Sequence, residues 1–180
     1  MAVRQILVIG DERLRQKAKR ITRFDESLKT LIDDMLETMH EANGLGLAAT
    51  QIGVPLRLAV IEMPEEKDED GTITRPKKTY ILCNPEIVKR SGEEMMEEGC
   101  LSIPGYAGRV LRATDVLVKA RNAQGREVRY RGNGLLAQAF QHELDHLDGV
   151  LYVDRIQNNE DFWPLAKEEQ DEEIEEEWES

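Results

Sequence analysis

The sequence predicts an α+β fold: antiparallel strands packed around a central helix that carries a metal motif, with an additional helix in the N-terminal region and an acidic helix at the C-terminus. Three observations predict it. Leu28, Leu31, Ile32, Met35, Leu36 and Met39 recur at three- and four-residue spacing, the signature of a helix with one buried face. Short apolar runs rich in Val, Ile and Leu alternate with Gly, Pro and Asn punctuation between residues 57 and 131, as strands joined by turns do. His142-Glu143-Leu144-Asp145-His146 then places two imidazoles four residues apart, on one face of a helix if the segment is helical.

In chain order, Ile6 to Ile9 reads as an extended lead-in, followed by a turn at Gly10. The first helix starts at Asp25, an N-cap residue type, and stops at Asn43-Gly44, which suits a left-handed C-terminal stop. His40 sits in its last turn, where a cation is favoured by the helix dipole. Gly44-Leu45-Gly46-Leu47-Ala48-Ala49-Thr50-Gln51 is a loop of small residues that lets backbone approach a ligand or a strand closely. It lacks the preceding strand and third glycine of a nucleotide fingerprint. Strands are expected at Arg57–Met63, at Thr79–Val88 with an interruption at Pro85, at Val116–Arg121 and at Glu127–Arg131. The stretch from Pro64 to Lys78 reads as an exposed loop, and Glu97–Tyr106 as a turn-rich segment. Asn122–Arg126 supplies hairpin-turn residues, and Asn133 can cap a helix running to Asp148, stopped by Gly149.

Composition narrows the class. The chain has 180 residues, 40% hydrophobic and 33% charged, which fits a single globular domain. No apolar run is long enough to span a bilayer, and the first residues lack a signal-peptide pattern. Cys83 and Cys100 are too few for a disulfide framework and are expected as thiols, Cys83 in the core. The expected location is the cytoplasm. Net charge is −12, but Glu168 to Ser180 carries nine acidic residues and no Lys or Arg, leaving −3 for the rest. A catalytic domain over 1–159 and an acidic helix or tail over 160–180 follow. Such a tail is repelled by phosphate backbones, so direct nucleic-acid binding is not expected.

Two of the chain's three histidines fall within the five-residue motif. Two imidazoles and a neighbouring carboxylate suit metal-assisted hydrolysis. Leu135, Gln138, Ala139, His142 and His146 share one helical stripe, so the histidine face continues into a mostly apolar surface, as a side-chain pocket would. A third ligand is needed. A metzincin-type third histidine is absent, because Tyr152 stands at that spacing. Glu160 or Asp161, in the manner of thermolysin-like proteases, and Cys100, in its turn-rich segment, both remain at this point. A thiolate with two imidazoles is good ligation for zinc or iron(II).

Three segments together resemble the peptide deformylases: Gly44–Gln51, Glu98-Gly99-Cys100-Leu101-Ser102 and Gln141–Leu147, in the family's order, within a resemblance covering about residues 3 to 156. The resemblance implies hydrolysis of the formyl group from the N-terminal formyl-methionine of new polypeptides, releasing formate. It implies that Cys100, His142 and His146 hold one divalent ion, iron(II) natively, with zinc or nickel as occupants of preparations. Glu143 is then the general base, and the Gln51 amide with the Leu101 N–H stabilises the oxyanion. Leu45 and Gly46 pair with the substrate main chain, Gly99 contacts it, and Leu45, Met96, Glu98, Leu135, Gln138 and Ala139 form the methionine pocket. Gln138 stands where the family often has an apolar residue. The partner is a nascent N-formylmethionyl peptide. Ribosome proximity is transient, because the acidic tail is opposite in charge to the basic docking helix of some relatives. A metalloprotease of the HExxH type and a non-catalytic peptide-binding protein of the same fold are the alternatives.

Overall fold

The computed structural model describes residues 2–166. Its helices and strands, in order, are α1 (Glu26–Glu41), β1 (Gly46–Ala48), β2 (Leu58–Met63), β3 (Glu66–Lys67), β4 (Ile73–Arg75), β5 (Lys78–Ser91), β6 (Glu94–Cys100), β7 (Ile103–Arg112), β8 (Asp115–Arg121), β9 (Glu127–Asn133), α2 (Gly134–Leu147) and β10 (Phe162–Pro164). All strand pairs within the sheets are antiparallel.

The main sheet has five strands in the order β1-β2-β5-β8-β9 and is covered on both faces. This is why β2 reads Leu58-Ala59-Val60-Ile61, a continuous apolar run without polar alternation: Leu58 and Val60 face α1, while Ala59 and Ile61 face α2. On the α1 side, Met35 and Met39 pack with Leu47, Leu58, Val60 and Cys83, all buried. On the α2 side, Phe140, Leu144 and Leu147 pack with Ile61, Leu82 and Val118. Each fully buried side chain of this size contributes about 1.5–3 kcal/mol through desolvation.

α1 begins as its sequence predicts. The Asp25 carboxylate accepts the Leu28 N–H at 3.1 Å, and the helix ends with Asn43 in the left-handed region, φ 52°. β5 is interrupted where Pro85 removes a donor, with Asn84 at φ 50° and a register shift between Cys83 and Glu86. α2 runs as expected, although Asn133 makes no side-chain capping bond. Gly149 ends it at φ 74°, where an added Cβ would lie 2.3 Å from the Arg15 carbonyl oxygen.

Three segments differ from the sequence expectation. The charged 64–78 loop contains a small hairpin of β3 and β4. The turn-rich 97–106 segment is the end of a long β6–β7 hairpin whose strands begin at Glu94 and finish at Arg112; its glycines and a proline hide a strand pattern. Residues 160–166, expected to open an acidic tail, belong to the folded body. β10 pairs with β7, completing a three-stranded β10-β7-β6 sheet, and Tyr106 and Phe162 stack at 5.1 Å. The remainder of the expected acidic helix, 167–180, lies outside the described residues.

Candidate metal centre and peptide cleft

α2 lies against the five-stranded sheet on one side and meets β6 and β7 through polar side chains on the other. Its four-residue repeat brings His142 Nε2 and His146 Nε2 within 3.2 Å of each other. The tight turn after β6 brings Cys100 Sγ to 3.4 Å from His146 Nε2. These three ligand atoms lie within 4.8 Å of one another. Two ring nitrogens and a sulfur converging in this way have one proton at most to share between neighbours, whereas a cation satisfies all three. The donor set therefore fits a divalent ion, with a soft sulfur and two imidazoles. Glu160 and Asp161, the other sequence candidates, are in a 3-10 turn before β10 and are not part of this cluster.

His142 is oriented from behind. Its Nδ1 pairs with Glu98 Oε1 at 2.7 Å, which turns Nε2 toward the cluster. Arg112 in turn grips both Glu98 oxygens, at 2.6 and 2.7 Å, and donates to Asp145 at 2.7 Å. Asp145 also accepts two bonds from Arg155. Burial alone would raise the Glu98 carboxyl, but the Arg112 guanidinium and His142 outweigh it and hold it down at about 2. Glu98 lines the cleft, and both its carboxylate oxygens are engaged by Arg112 and His142.

A folded carboxyl at about 2 against an ordinary 4.5 contributes stability that is complete above about 4.5 and is lost as pH falls toward 2. Urea midpoints of the wild type should drop across that window, and those of Glu98→Gln should drop less. Equal acid sensitivity in both would contradict this role for the pair.

Glu143 directly follows His142 on α2 and lines the cleft. It is buried, its Oε2 has no hydrogen-bond partner among the described residues, and burial pushes its carboxyl up to about 7. His146 is held well below its ordinary value by burial, with His142 and Arg112 adding to the effect, so its ring stays neutral. Gly46 lets β1 approach this carboxylate, since an added Cβ would sit 2.7 Å from Glu143 Oε1. Gly46→Ala should therefore displace the carboxylate and lower kcat by roughly 10²-fold, the usual cost of such a misplacement, with metal content unchanged. Formate release and metal analysis on the same sample check this; unaltered kcat would contradict it.

Gln51 is buried in a 3-10 turn after β1. Its Oε1 accepts the Ala48 N–H at 2.9 Å, while Nε2 donates to Ser102 Oγ at 3.1 Å and points at Cys100 Sγ at 3.7 Å. Ser102 is thus what aims the amide at the cluster. The N-terminal segment is strapped over both loops: Leu7 N–H donates to the Gln51 carbonyl and Ile9 N–H to that of Ser102. Leu101 lies in the turn between β6 and β7, beside Cys100.

A cleft of about 700 Å³ opens over these residues. Leu45, Gly46, Gly99, Leu135, Gln138 and Ala139 line it, with Cys100, His142, Glu143, Gln51 and Leu101. Met96 is outside its wall: it pairs with Val110 one pleat beyond Glu98, about 7 Å along β6. β1 is an edge strand of the main sheet and β6 an edge strand of the smaller one.

A sequence model of the polypeptide deformylase family matches residues 3–162. The chain belongs to this family. It is 49% identical over 171 residues to the peptide deformylase of Thermomicrobium roseum, covering 95% of this chain and 96% of that one. Its structure is similar to that of a peptide deformylase from Legionella pneumophila, at 44% identity and TM-score 0.76, over 99% and 95% of the two chains. It is also similar to the class I type b deformylase of Acinetobacter baumannii with Met-Ala-Ser bound, at 33% identity and TM-score 0.77, over 86% of this chain and 100% of that one. The reaction of this deformylase is removal of the formyl group from the N-terminus of nascent polypeptides. Deformylases use a divalent metal, and the Cys100, His142 and His146 cluster is the site among the described residues that fits one.

Arg112, Asp145 and Ser102 carry parts of this site that sequence reasoning did not assign. Asp145 was visible inside the motif, three residues from His142. Arg112 had a signal only in strand parity, since Val110 and Arg112 both point inward from β7.

Proposed function

We propose that Cys100, His142 and His146 hold the ion, that Glu143 is the general base, and that residues 1–159 contain the whole catalytic apparatus. The observation that carries this reading is the convergence of three ligand atoms within 4.8 Å beside a buried carboxylate raised to about 7. An ion held there supplies Lewis acidity, polarising a carbonyl and making water a better nucleophile. Glu143 Oε2, buried and without a partner among the described residues, accepts a proton from the attacking water and later returns it to the leaving amine. The Gln51 amide and the Leu101 N–H donate to the oxygen on which negative charge develops.

The peptide main chain pairs with Leu45 and Gly46 along the open edge of β1, a contact that reads no sequence. The methionine side chain enters between Leu45, Leu135, Gln138 and Ala139, and Gly99 contacts the substrate from β6. The Acinetobacter baumannii relative's Met-Ala-Ser complex supports a short peptide beginning with methionine as the occupant. Thiolate plus two imidazoles supports iron(II) as the native ion, with zinc or nickel able to replace it. No helix among the described residues is long and apolar enough to cross a membrane. The setting we propose is the cytoplasm, in transient proximity to the ribosome without a basic docking helix and without direct nucleic-acid binding.

The test of the site is Gln51→Leu in metal-loaded protein. Loss of one oxyanion donor should lower kcat for formyl-Met peptides by about 10²–10³-fold with metal retained. A kcat within a factor of two of wild type would remove Gln51 from the mechanism.

A further inference from the structure

On the α2 side of the cleft an amide side chain stands beside two apolar ones, Leu135 and Ala139. Gln138 stands on the α2 stripe between Leu135 and His142, next to Ala139. Its Nε2 donates to the Glu97 carbonyl of β6 at 2.6 Å, which ties the helix to the hairpin at the rim of the cleft. Because a carbonyl can only accept, this bond fixes which end of the amide faces β6. The nitrogen carries a second N–H, and neither that hydrogen nor the amide oxygen has a partner among the described residues. Gln138, which lines the cleft, therefore keeps a spare hydrogen-bond donor beside Leu135 and Ala139.

We infer that Gln138 adapts the side-chain pocket to accept methionine sulfoxide as well as methionine at the first residue of the peptide. This rests on the reading of the cleft as the peptide site. A thioether sulfur is a weak acceptor, whereas a sulfoxide oxygen is a strong one on a chain of the same length. Here the spare N–H meets that oxygen. With Leu or Met in place of Gln138 the oxygen would lose this partner and bind more weakly. The sulfoxide sulfur is chiral and the donor sits on one side of the pocket, so one epimer is favoured over the other. The contact is made equally in the ground state and in the transition state, so its effect lies in binding and KM.

The experiment measures binding of Met-Ala-Ser and of each of its two sulfoxide epimers to metal-loaded protein by titration calorimetry, in wild type, Gln138→Met and Gln138→Leu. Gln138→Met keeps the length and removes the donor, and thioether binding by either variant shows that the pocket is intact. In both variants the sulfoxide-to-thioether ratio of Kd should rise about three- to tenfold, and the epimer preference should collapse. An unchanged ratio, or an epimer preference that survives in both variants, would overturn the inference, as would failure of the wild type to bind either sulfoxide. Formate release from formyl-Met-Ala-Ser, run on the same wild-type sample, separates the two readings. Formate release with an unchanged ratio sinks the role of Gln138 alone, and a shifted ratio without formate sinks the catalytic assignment alone.

Discussion

Glu143→Gln should lose about 10²–10⁴-fold in kcat while keeping its metal. The substitution preserves shape and one hydrogen-bonding oxygen but removes the group that accepts a proton. Cys100, His142 and His146 are untouched, so metal content should match wild type. Stability should move the other way. Glu143 is a buried carboxylate whose Oε2 has no partner among the described residues and whose pKa is raised to about 7, so the native fold tolerates it at a cost. A neutral amide relieves part of that cost, and the thermal midpoint should equal or exceed that of the wild type. An inactive variant that has also lost metal or stability would place Glu143 in the scaffold instead of the chemistry.

Arg112→Met should be the most damaging change outside the cluster itself. Arg112 is buried and is the common partner of Glu98 and Asp145, two carboxylates with little exposure. Removing one member of such a pair leaves charge buried without compensation, which costs about 3–5 kcal/mol. Urea unfolding of the metal-loaded protein measures this. The second effect is local. Without Arg112, the burial of Glu98 raises its carboxyl, and the bond that orients His142 weakens. Metal affinity should fall by about 10–100-fold, as it does when such supporting partners are removed. Arg112→Lys should not restore either property, because the two-pronged grip on Glu98 needs a guanidinium. Wild-type stability and metal affinity in Arg112→Met would contradict the account of the ladder.

The sequence made the ligands legible because helical geometry dictates them: four-residue spacing on α2 can do little else with His142 and His146 than stack them on one face. The α1 stripe and the Asp25 cap were readable for the same local reason. Strands with clear punctuation, such as β8 and β9, were also readable. The β6–β7 hairpin was not, because Gly99, Pro104, Gly105 and Gly108 mimic a loop while the pairing that makes it a sheet is non-local. With that hairpin unseen, the parity that turns Arg112 inward was invisible, and so was the support that the Glu98 carboxylate gives His142. β10 was hidden in the same way, since its partner β7 lies some fifty residues upstream. Gln51 gives the complementary lesson. Its loop is informative as a motif, but its aim depends on Ser102, a contact across the two loops that no spacing encodes.

The central claim is that this cleft directs a proton-accepting carboxylate and a bound ion at a formyl amide. The most direct measurement is formate release from formyl-Met-Ala-Ser by anaerobically purified, metal-quantified wild-type protein, with the peptide product followed in parallel. The account predicts formate and free Met-Ala-Ser in equal amounts, with turnover lost on chelation and restored by iron(II). Stoichiometric metal with no formate, or cleavage of the internal peptide bonds in place of the formyl amide, would contradict it.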